Sequence, residues 1–134
     1  MPYTRLYYHI VWATKERHPL IEPRFEAELY SVIVQKAKEM GAIVYAVGGI
    51  EDHIHLAASV PPKIPLANFI GQVKGNSSHF INLVIKPGYH FKWQEEYGVH
   101  TFSERGLPRV VAYIKNQRKH HSQGKLFSQL ERDL

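Results

Sequence analysis

The sequence predicts an α+β fold: a ferredoxin-like β-α-β-β-α-β antiparallel sheet followed by one additional C-terminal helix. Three observations carry this. Short runs rich in aromatic and β-branched residues read as strands, and longer segments repeat apolar residues at helical spacing. The two kinds of segment alternate in the order of that fold, with helices expected to pack on one face of the sheet. Proline and glycine punctuate the junctions between them. Many unrelated activities use the architecture, so it does not decide function.

The stretch Tyr3 to Thr14 reads as the first strand. From Arg24 to Met40, a helical stripe of Phe25, Leu29, Val32, Ile33, Ala37 and Met40 is stopped by Gly41. Ala42 to Gly48 and His53 to Val60 form a hairpin, with Gly49 available for a turn or bulge. Pro61-Pro62 ends that strand, and Pro65 suits the first position of the next helix. Leu66, Phe69, Ile70 and Val73 supply its buried face, which Phe80, Leu83 and Val84 carry past Gly75. After Pro87-Gly88, Lys92 to Phe102 reads as the last strand. A helix runs from Leu107 to about His121, and Leu126 to Leu134 form one more short helix.

At 134 residues the chain reads as one domain over residues 1–134, long enough to bury a sizeable core. Its 17 Lys and Arg against 12 Asp and Glu give a net charge of +5, which favours a polyanionic partner such as nucleic acid. Cysteine is absent, which excludes disulfides and thiolate metal sites and suits a reducing compartment. Met-Pro-Tyr-Thr-Arg lacks an apolar leader core, and no apolar run reaches membrane-spanning length. The expectation is a soluble cytoplasmic protein with no membrane partner.

The chemistry centres on Asp52-His53-Ile54-His55-Leu56. Side chains at i and i+2 of a strand share a face, so His53 and His55 stand side by side as a chelate for a divalent metal. With nine histidines, roughly 0.6 His-x-His occurrences are expected by chance, so spacing alone is weak evidence. The context adds weight. Ile54, Leu56, Ala58 and Val60 anchor the opposite face to a core, while Ala57 and Ser59 continue the histidine face and leave open space above the imidazoles. In the helix near the C-terminus, Tyr113 and Gln117 lie four residues apart and share a face. Lys115, Arg118, Lys119, His120 and His121 make the turns around and after them basic, which suits either a solvated helix end or a phosphate-binding surface. A phenol with an ordinary pKa near 10 is a poor nucleophile at neutral pH. A metal that polarises a scissile phosphate supplies the missing activation, so the tyrosine predicts a nearby metal and the histidines offer one.

Together these residues resemble the single-tyrosine HUH transposases of bacterial insertion sequences, including the REP-associated tyrosine transposases. His53-Ile54-His55 matches the His-hydrophobic-His motif, and Tyr8-His9-Ile10-Val11-Trp12-Ala13-Thr14-Lys15 is similar to the family's first strand. Val73-Lys74-Gly75 with Ser77-Ser78, and Tyr113-Ile114-Lys115-Asn116-Gln117, are similar to its later helices. The resemblance implies that Tyr113 attacks a DNA phosphate, leaving a 5′-phosphotyrosine link and a free 3′-hydroxyl. His53 and His55 would hold Mg²⁺ or Mn²⁺ with Gln117 as the third protein ligand. It further implies single-stranded DNA with hairpins as substrate and no nucleotide cofactor. The insertion-sequence members imply a homodimer in which the tyrosine helix of one subunit completes the metal site of the other, the REP-associated group a monomer; the homodimer is the expectation. Gly106 offers a joint for such a helix, or an ordinary turn.

Lys74, Arg109, Lys115, Arg118 and Lys119 are candidate DNA contacts. Trp93, Tyr97 and Phe102 suit either base stacking or core packing. Two other readings compete: a domesticated relative that binds hairpin DNA or RNA without cutting it, and an unrelated ferredoxin-like domain whose histidines bind a metal for small-molecule hydrolysis. The intact set of Tyr113, Gln117, His53 and His55 argues against the first. The second leaves the tyrosine and the basic helix unexplained.

Overall fold

The computed structural model describes residues 4–117. The elements are β1 (Tyr7–Ala13), α1 (Pro23–Glu39), β2 (Ile43–Ile50), β3 (His53–Ser59), α2 (Leu66–Phe80), β4 (Gly98–Phe102) and α3 (Leu107–Lys115). All sheet pairings are antiparallel in the order β2-β3-β1-β4, so β3 and β1 lie at the centre and the predicted α+β architecture is present.

Strand alternation builds the larger core. Ile10 and Trp12 of β1 point to the same side as Ile54, Leu56 and Ala58 of β3, and helices α1 and α2 cover them. On α1 the buried residues Phe25, Leu29, Ile33 and Ala37 recur every four positions, giving one stripe along the helix. The helix ends in a Schellman motif: Ala42 N–H donates to the Ala37 carbonyl at 3.0 Å and Gly41 N–H to Lys38 at 2.9 Å. Gly41 adopts a φ of +87°, which glycine takes without a Cβ penalty.

Three expectations need correction. The last strand is shorter than Lys92 to Phe102, because Phe91 and Trp93 turn into the core instead of continuing a ladder. Trp93 stacks edge-on against both Trp12 and Phe91, and its indole N–H donates to Ser77 Oγ at 3.0 Å. Second, α2 does continue past Gly75, ending in a π-helical turn at Ile81–Ile85, but Leu83 and Val84 face solvent there and only Ile81 is buried. Third, the helices do not all pack on one face. α3 crosses the other face, where Tyr113 and Ile114 pack with Ala46 and Ala57, so both faces of β3 are buried. The predicted open space above the imidazoles is filled by that helix. Its described span ends at Lys115; Arg118, Lys119, His120, His121 and the predicted helix at Leu126 to Leu134 lie outside the described residues.

Candidate active site

The register of the central strands assembles the site. In β3, His53 stands opposite Ile50 and Ala13, and His55 opposite Gly48 and Val11. His9 pairs with Ala57, which makes it the diagonal neighbour of His55 on the same face. All three imidazoles are buried. The His53 and His55 rings lie 4.9 Å apart between centroids, as the i, i+2 spacing demands.

α3 closes over this row from above. The Tyr113 ring meets His55 edge-on at 5.5 Å and His9 at 6.1 Å. One turn later, Gln117 is buried, donates its Nε2 to the Tyr113 carbonyl at 3.0 Å, and turns its Oε1 toward His53 Nε2 at 3.4 Å. Tyr113, Gln117, His53 and His55, read from separate motifs, thus converge within one chain.

Gly48 permits the approach. A Cβ at that position would lie 2.4 Å from the Ile114 carbonyl oxygen, so the α3 backbone rests directly on β2 beside His55. The strand therefore runs through both Gly48 and Gly49 to Ile50 instead of ending at Gly48. Gly106, the candidate joint, lies in a short 3₁₀ turn at Glu104–Gly106 with a negative φ of −79°, and a Cβ there would make only ordinary contact with Phe102.

His53 is oriented by the hairpin turn. Asp52 Oδ1 lies 2.8 Å from His53 Nδ1, and Arg17 Nη2 lies 3.1 Å from the same nitrogen. A carboxylate only accepts and a guanidinium only donates, so Nδ1 cannot satisfy both. Assigned by the shorter contact, Nδ1–H donates to Asp52, and Arg17 pairs with the other carboxylate oxygen at 3.5 Å. Burial works to raise the Asp52 pKa, but the hydrogen bond from His53 and the neighbouring Arg17 guanidinium outweigh it and hold the carboxyl below its ordinary range. With Nδ1 protonated, the Nε2 lone pair of His53 faces Gln117.

The donor set fits a divalent cation. Two imidazoles and an amide oxygen are nitrogen and oxygen donors suited to such an ion, and an aspartate locking a ligand histidine is a common outer-shell arrangement. The separation of His53 Nε2 and Gln117 Oε1 is longer than a normal N–H···O bond, as suits two donors facing a shared centre.

Arg17 follows an unusual backbone. Glu16 and Arg17 both adopt left-handed φ values, 54° and 55°, which cost about 1–3 kcal/mol each for non-glycine residues. The surroundings hold them there: Lys15 N–H donates to the Lys92 carbonyl at 2.9 Å, and Glu16 N–H to Gln94 Oε1 at 2.9 Å.

The other expected contacts divide. Arg109 and Lys115 are exposed on α3. Lys74 is not a free cation: its ammonium donates to the carbonyls of Gln94, Glu95 and Glu96, and desolvation lowers its pKa. Phe102 packs on Tyr7 at 5.6 Å and Trp93 is core, leaving Tyr97 the most accessible of the three aromatics. His9, Arg17, Gly48 and the role of Asp52 escaped the sequence reading, although His9 and Asp52 lie inside its motifs. A histidine two places before Val11 on the face shared with Ala13 was the available signal for His9.

Comparison with known proteins shows the family. The family model for IS200-like transposases matches residues 2–117. The chain belongs to the IS200-like transposase family. The activity that accompanies membership is DNA transposition, the breaking and rejoining of DNA strands. The ISDra2 transposase TnpA of Deinococcus radiodurans is 27% identical over 119 residues, covering 84% of each protein. The transposase of insertion sequence element IS200 from Salmonella typhimurium is 27% identical over 126 residues, covering 90% of this chain and 82% of that one. Among solved structures, a candidate transposase from Deinococcus radiodurans R1 superposes with a TM-score of 0.69 at 26% identity, covering 87% of this chain and 95% of that one. A REP-associated tyrosine transposase bound to a REP hairpin shares the fold at 14% identity, with a TM-score of 0.65 over 94% of this chain and 76% of that one. Among the described residues of this transposase, no helix is long and apolar enough to cross a membrane.

Proposed function

We propose that this transposase cleaves and rejoins single-stranded DNA at hairpin-bearing element ends, with Tyr113 as the nucleophile. The observation that carries the reading is the placement of Tyr113 on α3, and of Gln117 just past its end, above His53 and His55. In the reaction the Tyr113 oxygen bonds to phosphorus and the phosphorus–O3′ bond breaks. The phenol gives up a proton and the departing 3′ oxygen takes one up. The products are a 5′-phosphotyrosine and a free 3′-hydroxyl, and attack by a 3′-hydroxyl reverses the step without a nucleotide cofactor. His53, His55 and Gln117 are the residues that would hold Mg²⁺ or Mn²⁺. When bound, that ion supplies Lewis-acid polarisation of the scissile phosphate. Arg109 and Lys115, exposed on the tyrosine helix, suit phosphate contacts.

The test is incubation with labelled hairpin-bearing single-stranded DNA and Mg²⁺, followed by denaturing electrophoresis. A protein–DNA adduct that disappears in Tyr113→Phe, with binding retained, supports the reading. One observation favours the noncatalytic alternative: Tyr113 is only 5% exposed, so α3 must shift before a phosphate can reach the phenol. Hairpin binding by the wild type without any adduct would establish that alternative. The homodimer with shared sites forms a separable part of the proposal, since one chain already brings Tyr113 to its own histidines. Light scattering tests the dimer. Mixing Tyr113→Phe with His55→Ala tests sharing, because only an exchanged helix restores the adduct.

A further inference from the structure

His9 has no role in the chemistry described so far, yet it is buried against a residue at the centre of that chemistry. Its Nε2 lies 2.8 Å from His55 Nδ1, the rings are 5.0 Å apart between centroids, and both side chains are almost completely enclosed. A pair of neutral imidazoles can share one proton at this distance in only two ways. If His55 Nδ1–H donates, His55 keeps an Nε2 lone pair. If His9 Nε2–H donates, His55 carries its own proton on Nε2 and offers no lone pair there. His9 therefore determines what His55 can bind.

We propose that His9 is a positioning residue that accepts the Nδ1–H of His55, holding that ring in the tautomer whose Nε2 can take a metal ion. His9 does for His55 what Asp52 does for His53. The choice of partner follows from location. Asp52 sits in the hairpin turn, partly exposed, where Arg17 can balance its charge. His9 sits mid-strand under α3, where a neutral acceptor costs less to bury than an unbalanced carboxylate. His9 is not itself a third imidazole ligand. Its Nε2 is directed at His55, and among the described residues no three His, Cys, Asp or Glu side chains converge as a metal cluster.

The proposal rests on the metal-binding reading of His53 and His55, and two measurements separate them. Long-range ¹H–¹⁵N spectra of the metal-free wild type report which His55 nitrogen carries the proton; Nδ1 is expected, and a proton on Nε2 overturns the proposal. Calorimetric titration with Mn²⁺ then compares variants whose folding is checked by circular dichroism. His9→Phe keeps a ring but removes the acceptor, and should weaken Mn²⁺ binding about 10- to 100-fold. His9→Gln returns an acceptor oxygen and should recover most of that loss, which a purely space-filling role would not predict. If Mn²⁺ binding depends on His55 and folded His9→Phe matches the wild type, the positioning role alone is wrong. If the wild type binds no Mn²⁺, the metal reading falls and takes this role with it.

Discussion

The two faces of the sheet are built on different principles. Under α1 and α2, apolar side chains from every layer interlock, with Trp12, Phe25, Phe69 and Phe91 fully buried. Under α3, among the described residues, the buried apolar cluster is the small set Ala46, Ala57, Tyr113 and Ile114, and the row beside it is His9, His53 and His55. The first face supplies stability through apolar area removed from water. The second uses that stability to hold three imidazoles, an amide and a phenol buried side by side. β3 belongs to both, since alternate residues point each way, so one strand couples the scaffold to the chemistry.

Truncating each face should separate these roles. Phe69→Ala should destabilise the fold by about 3–5 kcal/mol, read as a lower urea midpoint. His55→Ala should cost far less stability yet abolish Mn²⁺ binding and the covalent adduct. Equal loss of stability in both would show that the imidazole row is part of the scaffold, and the contrast would fail.

Glycine substitutions sharpen the same contrast. Gly48→Ala puts a methyl where the Ile114 carbonyl sits, so α3 must lift from the sheet at a cost of about 1–3 kcal/mol. Lifting also moves Gln117 from His53, so Mn²⁺ affinity should fall together with thermal stability. On the other face, Gly71 and Gly75 of α2 look into open space. Alanine there should raise stability by about 0.5–1 kcal/mol through helix propensity. A loss of stability at Gly71→Ala would mean that the groove beside α2 is tighter than the structure implies.

The same contrast governs what could be read from the sequence. Ile54, Leu56 and Ala58 alternate with the histidines, and Phe25, Leu29, Ile33 and Ala37 follow helical spacing, so the apolar face and the element order were legible locally. Tyr113, Gln117, His53 and His55 were legible as candidates because residue type and spacing single them out, and the fold brings them together. What covers the histidines was not legible. That depends on Gly48 meeting Ile114 across 66 positions of chain, and a glycine in a strand reads equally well as a turn. Trp93 misled for a related reason: an aromatic run reads as a strand, but the gap beside Trp12 took the indole as core.

The smallest effect concerns neither face but the rim of the apolar one. Tyr89 donates to Glu22 Oε2 at 2.7 Å, and Arg24 Nε donates to Oε1 at 3.0 Å. The Arg24 hydrogen bond first, then that of Tyr89, holds the Glu22 carboxyl below its ordinary value. A carboxyl depressed by folding contributes stability above its unfolded pKa and loses it as pH falls through the folded one. Desolvation, with the Glu22 contact, pushes the Tyr89 phenol up to about 12. The sign at that end is the opposite: stability is present below pH 10 and declines as pH rises toward 12, because the folded form retains a proton that the unfolded chain releases. Tyr89→Phe should therefore shift the acid limb of the stability profile to slightly higher pH and flatten the alkaline limb. Thermal melts across both ranges measure it. The site at His53 and His55 should not respond, so unchanged Mn²⁺ affinity in Tyr89→Phe is part of the expectation; a loss would show that the rim and the chemical face are coupled through β1 and β3.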